Sequence, residues 1–147
     1  MTAKVNNTTS LRSTDGTSSD AEPPATHFVL GGEHLGLAIA ERLQADGHAV
    51  AAVDETYDSA EIPGVEGSPT DVALLTELGL ETASSVIVGT GSDARNLLIA
   101  QLVRVHFEVP RIVVLVHDPE RVAPLAEAGH RPLCVTTALS ETVRERV

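Results

Sequence analysis

Residues 27–54 read HFVLGGEHLGLAIAERLQADGHAVAAVD, and this stretch decides the fold. His27–Leu30 is a short apolar run ending in glycines, which predicts a buried strand. Leu35, Ile39 and Leu43 then recur four apart, which predicts a helix over Leu35–Ala45 with one apolar face. Gly47 closes that helix, because the residue past a helix end often takes a left-handed backbone. Ala49–Val53 is a second buried run, and it ends at Asp54. Gly31-Gly32-Glu33-His34-Leu35-Gly36 joins the first strand to the helix. A glycine-rich turn in that context, with an acid at the tip of the next strand, is the pattern of a dinucleotide site. Unpaired amides and a partial positive charge at the helix start would face a pyrophosphate. Asp54 would accept from a ribose hydroxyl and would repel a 2′-phosphate. Glu33 stands where the pattern has its middle glycine. Either Gly32 gives the ligand its clearance, or the glycines only make a tight strand-to-helix turn.

The same alternation continues along the chain. Ser68-Pro69-Thr70-Asp71 predicts a helix start with Ser68 as N-cap, carrying Val72, Leu75 and Leu78 and stopping at Gly79. Ser85–Val88 reads as a strand. Ser92 caps a longer helix, on which Ala94, Leu98, Leu102 and Val105 are expected to share a face. Ile112–Val116 is the most β-branched run and is expected in the sheet interior. Asp118-Pro119-Glu120 starts a helix that runs to Gly129, Leu133–Thr136 reads as a last strand, and Ala138–Arg146 as a final helix. Apolar strands alternating with helices predict an α/β, Rossmann-like, doubly wound parallel sheet in a single domain over 27–147. Residues 1–26 are poor in large apolar side chains and are expected to form a disordered tail.

Composition excludes several classes. The 147 residues carry 21 acids against 10 bases, a net charge of −11, and Lys4 is the only lysine. Such a surface repels nucleic-acid backbones. Aromatics are 2% of the chain, too few for a base-stacking platform. The one cysteine, Cys134, excludes a disulfide framework and reads as a buried apolar residue. The six histidines show no metal-binding spacing. Membrane-length apolar runs and a signal peptide are both lacking, so a cytoplasmic protein without membrane insertion is expected. Acidity without lysine suits a halophilic source, where salt screens self-repulsion.

Four segments resemble the N-terminal nucleotide-binding domain of Trk-type potassium-uptake regulatory proteins, the KTN or RCK domain. They are the glycine loop with AERLQADGHAVAAVDE after it, GSPTDVALLTELGLETASSVIVGT, GTGSDARNLLIAQLVR, and RIVVLVHDPERVAPLAEAGH. Their order and spacing cover nearly all of 27–147, as a divergent haloarchaeal stand-alone member would. The resemblance implies that Gly31, Gly32, His34, Leu35 and Gly36 form the nucleotide loop. It places Asp54 at the adenosine ribose, Thr90 beside the cofactor, and Asn96 in a structural role. It implies NAD(H) or another adenine nucleotide as ligand, a homodimer or larger homo-oligomer, and a membrane potassium transporter or channel as partner. The chain departs from the family at Glu33, at Ser68 in place of an aspartate, and at Leu115 in place of an arginine. The segment 55–66 is too short for the usual second crossover helix and is expected as a turn or loop. The family's second domain has no room here.

Three functions follow as expectations. One is a regulatory subunit, not an enzyme, that senses a nucleotide and gates potassium transport. Another is a structural subunit that has lost the ligand. The third, a small NAD-dependent oxidoreductase, lacks a substrate domain and a Tyr-Lys pair, since Lys4 lies in the tail.

Overall fold

A computed structural model describes residues 25–147. The expected tail falls outside the described residues except at its end. There Ala25 packs on the core and the Thr26 amide donates to the Ala49 carbonyl at 3.0 Å.

The strands are β1 (His27–Leu30), β2 (Val50–Asp54), β3 (Gly64–Glu66), β4 (Ser85–Val88), β5 (Arg111–Val116) and β6 (Arg131–Cys134). The helices are α1 (Glu33–Ala45), α2 (Val72–Glu77), α3 (Asp93–Phe107), α4 (Val122–Glu127) and α5 (Val135–Arg146). All six strands are parallel, in the order β3-β2-β1-β4-β5-β6. This is the doubly wound Rossmann order, with its topological switch between β1 and β4. Alternate residues of each strand feed opposite faces. Phe28, Leu30, Val53, Val86 and Val88 pack with Leu75, Ile99, Val103 and Leu125 on one face. Val29, Val50, Ala52 and Ile87 pack with Ala40 of α1 and Ile62 on the other.

Several elements differ from expectation. The segment 55–66 lacks a helix, as expected, yet Gly64–Glu66 pairs with β2 as an edge strand. Ile62 and the Tyr57 ring fill the space below it. Three parallel residues carry too little pattern to announce a strand. Asp71, not Ser68, caps α2: its side chain accepts from the Leu74 amide at 3.1 Å. Ser68 instead makes a turn with Thr70. In α1 Ile39 and Leu43 pack on the sheet as expected, together with Leu37 and the fully buried Gly36 and Ala40, while Leu35 is exposed. The last strand starts two residues earlier than expected, and α5 starts at Val135. Cys134 is half-buried, with the Thr137 hydroxyl donating to its Sγ at 3.3 Å.

The largest correction concerns α3. Its buried face is Asn96, Ile99, Ala100, Val103 and Phe107. Leu98 is 53% exposed and Val105 73%, with Leu97 beside them. Apolar residues surround this helix, so a four-residue period fits two faces. The small Ala100 and the polar Asn96 mark the true one, because they allow close approach to β4 and β5. Ile99→Ala should therefore cost about 2–4 kcal/mol in a denaturant melt, and Leu98→Ala less than about 0.5 kcal/mol. The reverse order would refute this face assignment.

Two imidazoles, the buried His130 and the half-buried His27, give stability a pH dependence. Burial lowers the His27 pKa, aided by His48 and Arg111 nearby. Burial, then Arg104, lowers that of His130, both of whose ring nitrogens are without hydrogen-bond partners. The unfolded chain then binds more protons than the folded one below the ordinary histidine value of about 6.5. Their contribution is full above that value and is lost as pH falls through it. The urea midpoint should drop between about pH 7.5 and 5, and less so in His130→Leu.

Candidate nucleotide cleft

The site forms where the parallel strands end at the switch point. The β1–α1 loop, the tip of β2 and the β4–α3 turn enclose a cleft of about 400 Å³, a usual size for small-molecule sites. Gly31, Gly32, Glu33, Leu35, Asp54, Glu55, Thr56, Pro69, Gly89, Thr90, Gly91, Arg95 and His117 line it. Of the residues singled out by sequence, Gly31, Gly32, Leu35, Asp54 and Thr90 are brought together. His34 is exposed on the first turn of α1 and Gly36 is buried beneath the loop; neither side of the loop presents them to the cleft.

The loop needs its glycines for two reasons. Gly31 and Gly32 have φ of 79° and 100°, a left-handed backbone. A Cβ on Gly32 would lie 2.8 Å from the Gly89 carbonyl, and one on Gly36 would collide with the Gly31 carbonyl. Glu33 also has positive φ, 50°, where a side chain costs energy. Its own side chain is exposed, at the rim of the cleft that Glu33 helps to line.

Asp54 is the anchor. Its Oδ2 accepts from the Glu33 amide at 2.8 Å. Its Oδ1 accepts from the Thr56 amide and the Thr56 hydroxyl, each at 2.8 Å. Burial alone would raise the carboxyl pKa. The bonds from Thr56 and Glu33, with the charge of Arg95, outweigh it and hold the group below the usual aspartate value. Carboxylate oxygens have further lone pairs, so Asp54 retains capacity to accept from a ligand hydroxyl.

Across the cleft, Thr90 turns its hydroxyl into the protein. It bonds Asn96 Oδ1 at 2.5 Å, and Asn96 Nδ2 donates to the Thr90 and Leu115 carbonyls at 3.0 and 2.9 Å. Asn96 is fully buried and holds the β4–α3 turn against β5. Leu115 packs beneath Gly89, where a Cβ would stand 3.1 Å from its Cδ1.

Sequence reasoning missed the charged far wall. Arg95 Nη2 pairs with Glu55 Oε1 at 3.0 Å. Asp93 Oδ1 accepts from the His117 amide at 2.8 Å and meets its ring Nδ1 at 3.0 Å, while Oδ2 accepts from the Asp118 amide at 3.0 Å. Burial would raise the Asp93 pKa, but these bonds lower it overall. Long-range pairs of this kind leave no local signal. The position of Asp93 in the first turn of a helix, beside a strand end, is the available hint.

Among the described residues, no helix is long and apolar enough to cross a membrane. None of their His, Cys, Asp and Glu side chains gather as a metal cluster.

The chain resembles known proteins along most of its described length. A Trk system potassium uptake protein TrkA homolog from Methanothermobacter thermautotrophicus is 30% identical over 108 residues, 69% of this chain and 50% of that protein. The NAD(P)-binding domain of an exopolyphosphatase-related protein from Archaeoglobus fulgidus superposes with a TM-score of 0.71 at 27% identity, over 83% of this chain and 96% of that one. The GsuK channel bound to NAD gives 0.68 at 25% identity, over 80% of this chain and 23% of that one. This chain thus spans about half the length of the potassium uptake protein it matches. The model of the TrkA-N domain matches residues 27–136, and the chain belongs to that family.

Proposed function

We propose that this domain is a cytoplasmic regulatory module of potassium transport that binds an adenine nucleotide in the cleft at the switch point. The observation that carries the reading is the loop of the left-handed Gly31 and Gly32 facing Asp54 across the cleft. A similar fold occurs in a channel described as bound to NAD. The adenosine half of a nucleotide fits. Asp54 would accept from the ribose, Gly31 and Gly32 would let the backbone approach, and the first-turn amides of α1 near His34 would face phosphate. Bound NAD would act here as a regulatory ligand, so no substrate domain or catalytic acid is needed.

The partner would be a membrane potassium transporter or channel, and the chain would act as a dimer or larger homo-oligomer. The exposed stripe of Leu97, Leu98 and Val105 on α3 suits such an assembly. Regulation would follow from population shift: a ligand that binds one arrangement of the assembly more tightly favours that arrangement.

One observation favours a structural subunit instead. The Glu33 amide, which a phosphate would use, is already given to Asp54. Calorimetry separates the two readings. Wild-type protein should release heat with NAD(H), ADP or ATP. Ligand at a hundredfold excess over Kd should add about 2.7 kcal/mol of stability. Asp54→Ala should abolish both effects. No heat with any adenine nucleotide would leave only the structural reading.

A further inference from the structure

Three carboxylates, Glu33, Asp54 and Glu55, line the cleft against one guanidinium, Arg95. That guanidinium is already paired with Glu55 at 3.0 Å. His117, the other basic side chain of the lining, is held by Asp93 at 3.0 Å. The positive end of α1 already faces the Asp54 carboxylate through the Glu33 amide. Nothing in this lining offers an unpaired cation to a phosphate. Glu33 adds its charge at a backbone position with φ of 50°, where glycine would sit without strain. The chain thus keeps a carboxylate at a costly place on the rim of a site that would receive phosphates.

Resting on the reading of this cleft as a nucleotide site, we propose that Glu33 acts as a charge filter, selecting an adenine dinucleotide over nucleoside di- and triphosphates and oxidised over reduced NAD.

The ligand chemistry supplies the discrimination. Each inner phosphate of a dinucleotide is a diester and carries one negative charge. A terminal phosphate carries nearly two at neutral pH. ADP and ATP therefore bring more charge to the same rim than a dinucleotide does. The oxidised nicotinamide ring is itself cationic and offsets part of the pyrophosphate. In a partly exposed site, each extra unit charge within a few ångströms of a carboxylate weakens binding by about fivefold. Bulk would act differently, since a side chain that merely blocked the loop would exclude every phosphate alike. Magnesium offers ATP an escape by neutralising part of its charge before it reaches the rim.

The test compares wild type, Glu33→Gln and Glu33→Gly by calorimetry, with NAD+, NADH, ADP, ATP and adenosine, at low salt without magnesium. Glutamine keeps the bulk and removes the charge; glycine removes both. Wild type should bind NAD+ most tightly and ATP most weakly. Glu33→Gln should tighten ATP by at least about fivefold more than it tightens NAD+. The NAD+-to-ATP ratio should shrink as ionic strength rises, and magnesium should narrow it for the wild type. A wild-type preference for ATP, or an unchanged ratio in Glu33→Gln, overturns the filter. Binding of all the nucleotides by Glu33→Gly alone also overturns it, and leaves the cleft a nucleotide site blocked by bulk. Failure of every ligand with all three proteins, adenosine included, overturns the nucleotide reading itself.

Discussion

The Asp54 carboxylate joins three pieces of chain at the edge of the cleft. It ends β2, accepts the Glu33 amide at the start of α1, and accepts both the amide and hydroxyl of Thr56 in the turn that leaves β2. Hydrogen bonds to an ionised acceptor are stronger than neutral ones. Here they are shielded, since Asp54 is buried. They stabilise the left-handed backbone of Glu33, which local preference alone would not choose. This cluster ties the start of α1 to the tip of β2 at one wall of the cleft, while Ala40, Ile39 and Leu43 seat the rest of the helix on the sheet.

The opposite wall is held by a second polar group. Asn96 lies in the apolar interface between α3 and the sheet, where an unpaired amide would be costly. Its carbonyl and both of its amide bonds are satisfied by the turn at Thr90 and by Leu115. The β4–α3 turn is thereby fixed to β5 with no glycine strain of its own at Thr90. Asp93, one turn earlier, ties the same helix start to the end of β5 through His117 and Asp118. Two carboxylates and one amide thus set the spacing of the three loops around the site. They also spend most of the polar groups that a ligand would otherwise meet.

These arrangements were unevenly legible in the sequence. Strands β1, β4 and β5 are continuous apolar runs, and their reading needs no tertiary information. The glycine loop and Asp54 are local patterns within 30 residues, so they too could be read. The three-residue β3 could not, because pairing with β2 gives it its identity. The face of α3 was misread because LLIAQLV offers apolar residues on every side. Burial there was decided by which side chains were small enough to approach the strands. The charged wall of the cleft joins residues 40 apart in Arg95 and Glu55, and 24 apart in Asp93 and His117. Contacts at that separation depend on the finished fold.

The same misread face bears on how a site of this kind could act at a distance. Helix α3 begins in the cleft, where Arg95 lines the wall and Asn96 locks the turn. Its outer side then carries Leu97, Leu98 and Val105 to the surface. A rigid helix moves as one body, so a ligand that displaces the Thr90 turn must also displace this apolar stripe. If a second subunit covers the stripe, the two events share one free energy, and binding in the cleft becomes linked to the geometry of the assembly. That linkage would run through α3 itself, with Ile99, Ala100 and Val103 as its contact with the sheet between the two ends. The coupling would be set by how far α3 can pivot on that contact.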